Sequence, residues 1–394
     1  MASSILEVAS VFLRLGCSSF GGPVAHLGYL RAELVDRRNW LDDAHYGDLV
    51  ALCQFLPGPA SSQVVFALGM QRAGLLGALM ASACFTLPSA LLMIGFAYGV
   101  AQAAELDRAG WLHGLKLAAV AVVAQAVWGM GKKLCPDRAR LLLCLGAATL
   151  LVLVPGALAQ LGVLVLGGGI GWWLYRDGIA VGAVPPEAGS GRGHVAAAAA
   201  LALFFALLLV LPGLASLTGS RNVAVFDSFY RSGALVFGGG HVVLPLLRAE
   251  LVPRGWLTDA QFLAGYGAAQ ALPGPLFSVS AYLGAAMQPG AGSWLNGLWC
   301  LLGIFLPAWL LIGGALPFWH VLRAKRWAQA ALAGANATVV GVLLAALYNP
   351  VITEGVRGPR DVVAAGIALA LLERLKAPPW VVVAGCAAAG QWLL

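Results

Sequence analysis

Charged residues are scarce in this chain. Asp, Glu, Lys and Arg make up 10% of its 394 residues, against 60% hydrophobic residues. A soluble globular domain carries roughly 25% charged residues, so that class is excluded and a polytopic membrane protein is expected. Carboxylates are few and unclustered in the apolar stretches. A membrane-embedded enzyme acting on a lipid-linked phosphate needs a dense Asp, Glu or His constellation, so an enzyme is not expected. No G-x-x-x-x-G-K-[ST] run is present: Gly131-Lys132 lacks both the earlier glycine and the following Ser or Thr, which argues against ATP drive through this chain. The seven cysteines (17, 53, 84, 135, 144, 300 and 386) form no C-x-x-C pair and read as small buried hydrophobes, with no metal or cofactor expected. No Lys or Arg precedes Arg14, so a basic leader region is missing and the first apolar segment is expected to be retained. The net charge of +7 is no nucleic-acid signal, because the basic residues form short clusters between apolar segments, as in cytoplasmic loops. The expected surroundings are a lipid bilayer.

What the chain does have is one motif twice. Gln54-Phe55-Leu56-Pro57-Gly58-Pro59 returns as Gln270-Ala271-Leu272-Pro273-Gly274-Pro275, each inside a long apolar region. Two prolines around a glycine cannot continue a helix. Lipid satisfies no backbone polar group, so such a break belongs where it is buried in protein or lines a cavity. A tight re-entrant turn without a ligand is the plain reading of one copy. Two copies at equivalent places match the broken helices of a transporter's binding site.

In order, residues 5–20 form a short apolar segment carrying Arg14, ending at Gly21-Gly22-Pro23. An amphipathic helix is expected over 23–38, with His26, Tyr29, Glu33 and Arg37 on one side. Asp42 and Asp43 open another short helix that runs into the first break. Residues 60–101 read as a half-helix and a full span, interrupted near Gln71-Arg72-Ala73-Gly74, with further spans near 112–131, 139–154 and 157–175. Residues 176–194 are linker-like, with Pro-Pro and Gly/Ser character, and an additional span follows near 195–214. The domains are therefore 1–175, an N-terminal transport repeat; 176–220, a linker with an extra span; and 221–394, a C-terminal transport repeat.

The restart is an internal repeat. Phe20–Arg37 laid over Phe237–Arg254 without gaps matches 11 of 18 residues, including Phe-Gly-Gly and Leu-Arg-Ala-Glu-Leu-Val. Trp40-Leu41 then matches Trp256-Leu257, Arg14 lies over Arg231, and Pro88 falls near Pro307. Shared Arg, Glu, Trp, Gln and Pro rule out biased composition as the cause. An odd span between the repeats would bring the second in from the opposite side. Loop charge agrees: Lys132, Lys133, Arg138 and Arg140 cluster in one loop of the first half, whereas Arg323, Lys325 and Arg326 occupy the loop corresponding to the one before it. By the positive-inside rule, the repeats are inverted and the N-terminus is cytoplasmic. The expected fold is all-α and polytopic, with two inverted repeats, broken or re-entrant helices and an additional central span.

With Phe20-Gly21-Gly22-Pro23, His26, Trp40-Leu41 and Gln54-x-x-Pro57-Gly58-Pro59, most of them repeated in the second half, the chain resembles the chromate ion transporter family. The resemblance covers nearly the whole chain and implies a long, two-domain member of the bacterial inner membrane, one that expels chromate and confers resistance. Sulfate is the look-alike alternative substrate, and a homodimer is left open. The second repeat departs from the pattern: Gly240 replaces the proline, and His241 is not aligned with His26.

A chromate-like substrate is a tetrahedral oxyanion and needs donors held dry. The breaks at Gly21-Gly22-Pro23, Pro57-Gly58-Pro59, Gly238-Gly239-Gly240 and Pro273-Gly274-Pro275 would each create a helix N-terminus with free N–H groups and partial positive charge. Ser61, Ser62, Ser278, Gln54 and Gln270 could add donors, although membrane serines also bond neighbouring backbone. Arg14 and Arg231 are the charged candidates, since Arg within an apolar helix costs at least roughly 2.5–3.5 kcal/mol without a role or partner. Either they contact the anion, or they pair with Glu33, Glu250 or Asp227. Glu33 and Glu250, flanked by arginines, read as a solvated face. His26 is either a proton shuttle or a satisfied hydrogen-bonding residue. A channel is the remaining alternative class, but broken helices in inverted halves favour alternating access.

Overall fold

The computed structural model describes residues 2–20, 22–102, 110–175, 191–237, 240–288, 290, 292–318 and 325–392. These residues form helices and connecting turns, with no strand among them. The first half contains α1 (Ala2–Ser18), α2 (Gly22–Arg31), α3 (Asp43–Phe55), α4 (Ala60–Gln102), α5 (Gly110–Leu134), α6 (Arg138–Leu153) and α7 (Ala157–Tyr175). After α8 (Gly191–Thr218), the series runs again: α9 (Arg221–Ala234), α10 (Val243–Leu251), α11 (Asp259–Ala271), α12 (Val279–Ala286), α13 (Ser293–Ala315), α14 (Arg326–Ala346), α15 (Pro359–Glu373) and α16 (Pro379–Trp392).

Among the described residues, five helices are long and apolar enough to cross a membrane: residues Ala60–Val100, Gly110–Leu134, His194–Thr218, Ser293–Phe318 and Arg326–Gly355. The first of these is about twice as long as a bilayer core requires, and its backbone shows why. Ala73 and Gly74 leave helical geometry, with Gly74 at φ +67°, so α4 is a half-helix and a full span joined by a bend. In the second repeat the equivalent place separates α12 from α13. The helix expected over 23–38 is shorter than the pattern suggested. It stops at Arg31 and continues as a wider π-turn, Ala32–Arg37, which buries Glu33, Leu34 and Val35. Inserting a residue into a turn rotates the following side chains to another face, and periodicity counted at 3.6 cannot register that.

α3 starts because the Asp42 side chain accepts from the His45 N–H at 2.8 Å, a contact that also holds the Asp42 carboxyl below its usual range. α11 starts with a Thr258–Gln261 capping box. Both end in an extended leucine, Leu56 or Leu272, ahead of a proline, the backbone a following proline favours.

The repeats are woven together. α5 of the first repeat packs against α15 and α16 of the second, while α14 of the second packs against α6 and α7 of the first. Glycine permits both contacts. A Cβ on Gly171 in α7 would come within 2.6 Å of Gly334 Cα in α14. At the equivalent crossing, a Cβ on Gly390 in α16 would come within 2.7 Å of Gly114 Cα in α5. Small residues let membrane helices approach until their backbones touch. The extra helix α8 lies outside this weave against α9 and α13, tied by the Tyr230 hydroxyl donating to the Phe204 carbonyl at 3.0 Å. Only 17% of its apolar window is buried, and Leu209 and Leu217 stand exposed on it, as on a lipid-facing helix.

Candidate functional site

The two Pro-Gly-Pro loops cross between repeats. The Gly58 N–H donates to the Val236 carbonyl at 2.7 Å, and the Gly274 N–H donates to the Ser19 carbonyl at 2.8 Å. Val236 and Ser19 sit at matched positions immediately before the two Phe-Gly-Gly breaks. Each loop also rests on the long helix of the other repeat. A Cβ on Gly58 (φ +121°) would lie 3.2 Å from Ala308 Cβ in α13, and one on Gly274 (φ +95°) would lie 2.8 Å from Ser89 Oγ in α4. The breaks that sequence spacing singled out therefore meet in one region, held by a reciprocal exchange.

The exchange changes which donors remain. The glycine N–H of each Pro-Gly-Pro is already bonded and the prolines have none, so those loops offer no N–H of their own. The first turn of α4, at Ala60, Ser61 and Ser62, keeps the unpaired amides of a helix N-terminus, since the first helical return bond is Gln63 N–H to the Pro59 carbonyl at 2.9 Å. The second repeat is tighter there, with Leu276–Ser278 forming a 3-10 turn before α12. Gly240 likewise opens a 3-10 turn rather than an α-helix. Gly22 (φ +77°) and Pro23 form the start of α2. Gly21, Gly238 and Gly239 lie outside the described residues.

Side chains around the breaks are buried. His26 is 1% exposed, with Nε2 3.1 Å from the Ser19 carbonyl and Nδ1 3.5 Å from Ser61 Oγ. It thus steadies the carbonyl that receives Gly274. His241 is placed differently, with Nδ1 2.7 Å from the Tyr266 hydroxyl. Ser278 is 2% exposed. Ser62 Oγ and Gln270 Nε2 are buried without a hydrogen-bond partner among the described residues. Three groups that sequence reading missed share that condition: Ser19 Oγ, Gln63 Oε1 and Trp309 Nε1. Gln63 donates through Nε2 to the Pro57 carbonyl at 2.9 Å, and Trp309, beside Ala308, stacks on Phe66. Buried polar atoms are nearly always paired, so a set of unpaired ones on these elements marks where water or a ligand is held. Nothing in their spacing distinguished Gln63 or Trp309 from ordinary core residues.

Arg14 and Arg231 pair with carboxylates. Arg14 donates to Glu33 at 2.6 Å, with Arg37 and Arg38 on the same carboxylate. Arg231 holds Asp227 at 2.8 Å and Glu250 at 3.1 Å, with Arg254 on Glu250 at 3.0 Å. The two networks occupy matched positions. Glu33 and Glu250, expected on a solvated face, are 6% and 7% exposed. Glu33 lies in the π-turn and Glu250 in the regular helix α10; in both, an arginine from α1 or α9 supplies the charge that makes burial tolerable.

Gln54 faces a cavity of about 360 Å³ with Ala51 and Phe55 from α3, Lys133 and Leu134 from α5, Arg140 from α6, and Gln329, Leu332, Ala333 and Asn336 from α14. A larger depression of about 570 Å³, at Asn222, Gln288, Asn296 and Trp299, carries no charged lining and lies away from the breaks. The smaller cavity is lined by Gln54 and Phe55, the residues of α3 that lead into the first Pro-Gly-Pro loop.

Helices interrupted at matched points, meeting between two interwoven repeats, define the class as a polytopic helical membrane protein with an inter-repeat site. The family model described as Chromate transporter matches residues 6–172 and again 223–391. A chromate transport protein of Pseudomonas aeruginosa is 30% identical over 97% of this chain and 91% of its own length. One from Cupriavidus metallidurans is 28% identical over 98% and 92%, and an uncharacterized transporter of Methanocaldococcus jannaschii is 24% identical over 87% and 83%. No solved structure matches the chain. The chain belongs to the chromate transporter family.

Proposed function

We propose that this protein is a secondary carrier that exports chromate from the cytoplasm of a bacterial cell and so confers resistance. The reciprocal bonding of each Pro-Gly-Pro loop to the other repeat's Phe-Gly-Gly break carries this reading. It couples the two halves at the place where unpaired donors gather, so a movement of one half is felt by the other. A carrier needs such coupling and a fixed pore does not. We further propose that the repeats are inverted, that residues 1–175 and 221–394 bound them, and that the N-terminus is cytoplasmic. In this reading the oxyanion is bound by the Ala60–Ser62 amides, Ser19, Ser62, Gln270 and Trp309. Arg14 and Arg231 act on it through the local field, since their hydrogen bonds go to carboxylates. Sulfate, of similar shape and charge, is the competing substrate.

Reconstituted protein should show saturable chromate flux, counterflow against unlabelled chromate, and a response to imposed membrane potential or pH gradient. Flux that rises linearly with concentration and shows no counterflow would reject a carrier. Complete inhibition by low sulfate, with faster sulfate flux, would transfer the function to sulfate.

A further inference from the structure

We infer that the 360 Å³ cavity beside the first Pro-Gly-Pro loop is an oxyanion-docking subsite, in which Lys133 and Arg140 supply the charge and Gln54, Gln329 and Asn336 the amide donors. The inference rests on the transport reading and extends it to residues outside the helix breaks.

The lining carries two cations, three amide side chains and no carboxylate. Lys133 is exposed and has no ion pair among the described residues. Arg140 is preset: its Nε lies 3.0 Å from Asp137 Oδ2, and its guanidinium stacks over the Tyr175 ring at 4.8 Å. Asp137 is further engaged by the Arg140 N–H and the Tyr175 hydroxyl, each at 2.9 Å. Two donors therefore share Asp137 Oδ1, and the guanidinium meets Oδ2 as an ion pair on its Nε edge, without hydrogen-bond geometry. A planar fork held in this way recognises two oxygens of one anion, and Lys133 adds a point charge. The volume corresponds to about a dozen waters at ~30 Å³ each, enough for a tetrahedral oxyanion that keeps part of its hydration. Gln54 lies at the C-terminal end of α3, three residues before Pro57, so the subsite stands beside the first Pro-Gly-Pro loop.

Comparison with the other repeat makes the arrangement specific. The position matched to Asn336 is Lys116, and that matched to Ala51 is Gly267. There the space is filled, because a Cβ on Gly267 would lie 2.6 Å from the Leu115 carbonyl. The cavity is thus a property of one face, the face whose loop carries the larger basic cluster.

The test uses the full-length protein in two ways: equilibrium binding of radiolabelled chromate and sulfate in detergent, and initial rates in vesicles with the Lys133 loop facing the medium. Lys133→Gln and Arg140→Gln should each weaken binding and raise KM about fivefold, with the maximal rate largely kept. Lys132→Gln is the control, because Lys132 packs on Trp128 at 4.4 Å and does not line the cavity; it should behave as wild type. Unchanged binding and KM in Lys133→Gln and Arg140→Gln would overturn the subsite, and so would an equal loss in Lys132→Gln, which would reveal general surface charge. If Arg140→Gln does not fold, the exposed Lys133→Gln decides alone. A wild-type protein that neither binds nor transports either anion rejects the transport reading itself, whereas a competent wild type with unaffected variants rejects only the subsite.

Discussion

α3 and α11 are the same helix in two repeats and they live in different surroundings. Each has 13 residues and ends at a Pro-Gly-Pro loop. α11 buries every residue from Phe262 to Gly267 and also Ala269, packed on α5 and α16. α3 buries Tyr46, Leu49, Leu52 and Cys53, while Ala44, Gly47, Asp48, Ala51 and Gln54 remain exposed. The small residues needed for close docking are present on both helices. α3, however, carries Asp48 where α11 carries Ala264, and taking a carboxylate out of water is costly. In the carrier proposed above, pseudo-symmetric parts in unequal states would mark one end of the cycle: packed at α11, open at α3.

The strongest way to break this comparison is to forbid it from reversing. Ala51 and Ala335 match Gly267 and Leu115, which touch on the packed face. A cross-link between Ala51→Cys and Ala335→Cys, in a chain cleared of its native cysteines, should stop transport, and reduction should restore it. Undiminished flux in the cross-linked protein would show that α3 stays where it is.

A single large side chain should next separate the two faces. Gly267→Leu forces α11 from α5 and should destabilise the protein by about 3 kcal/mol, measured as thermal unfolding in detergent. Ala51→Leu faces open space and should change stability by less than ~0.5 kcal/mol, yet slow transport by obstructing closure. Equal effects on stability would mean that the faces are not different in solution.

The matched arginines sharpen the comparison further. Arg231→Gln leaves Asp227 and Glu250, both nearly buried, short of a cation, at a cost of about 3 kcal/mol. Arg14, with 54% of its side chain exposed, leaves Glu33 still holding Arg37 and Arg38. Arg14→Gln should therefore cost less than ~1 kcal/mol. If their charge also serves the anion, Arg14→Lys and Arg231→Lys should retain more transport than the Gln variants. Full transport in both Gln variants would confine these arginines to a structural role.

Much of the architecture was legible in sequence because it depends on residue type and order. Low charge set the solvent, Pro and Gly marked the breaks, and repetition paired Arg14 with Arg231 and Pro57 with Pro273. The bend at Gly74 and the extra helix α8 followed from the same signals. Three features escaped. Glu33 and Glu250 turned out buried, since the arginine that meets each carboxylate comes from another helix, α1 or α9. Lys132, Lys133 and Arg140 looked alike as loop charge, although Lys133 and Arg140 line the cavity and Lys132 does not. Gln63 and Trp309 resembled core residues until their burial and missing partners were seen.

By itself, then, the order of residues determined that this is a helical membrane protein built twice and interrupted at four matched places, because local backbone chemistry and hydropathy decide where helices run and stop. Only the tertiary structure decided that each interruption is completed by the other repeat, through Gly58 to Val236 and Gly274 to Ser19. It also decided that α11 is packed while α3 stands open. Those outcomes depend on contacts between residues about 150 to 255 positions apart, on which no local pattern bears.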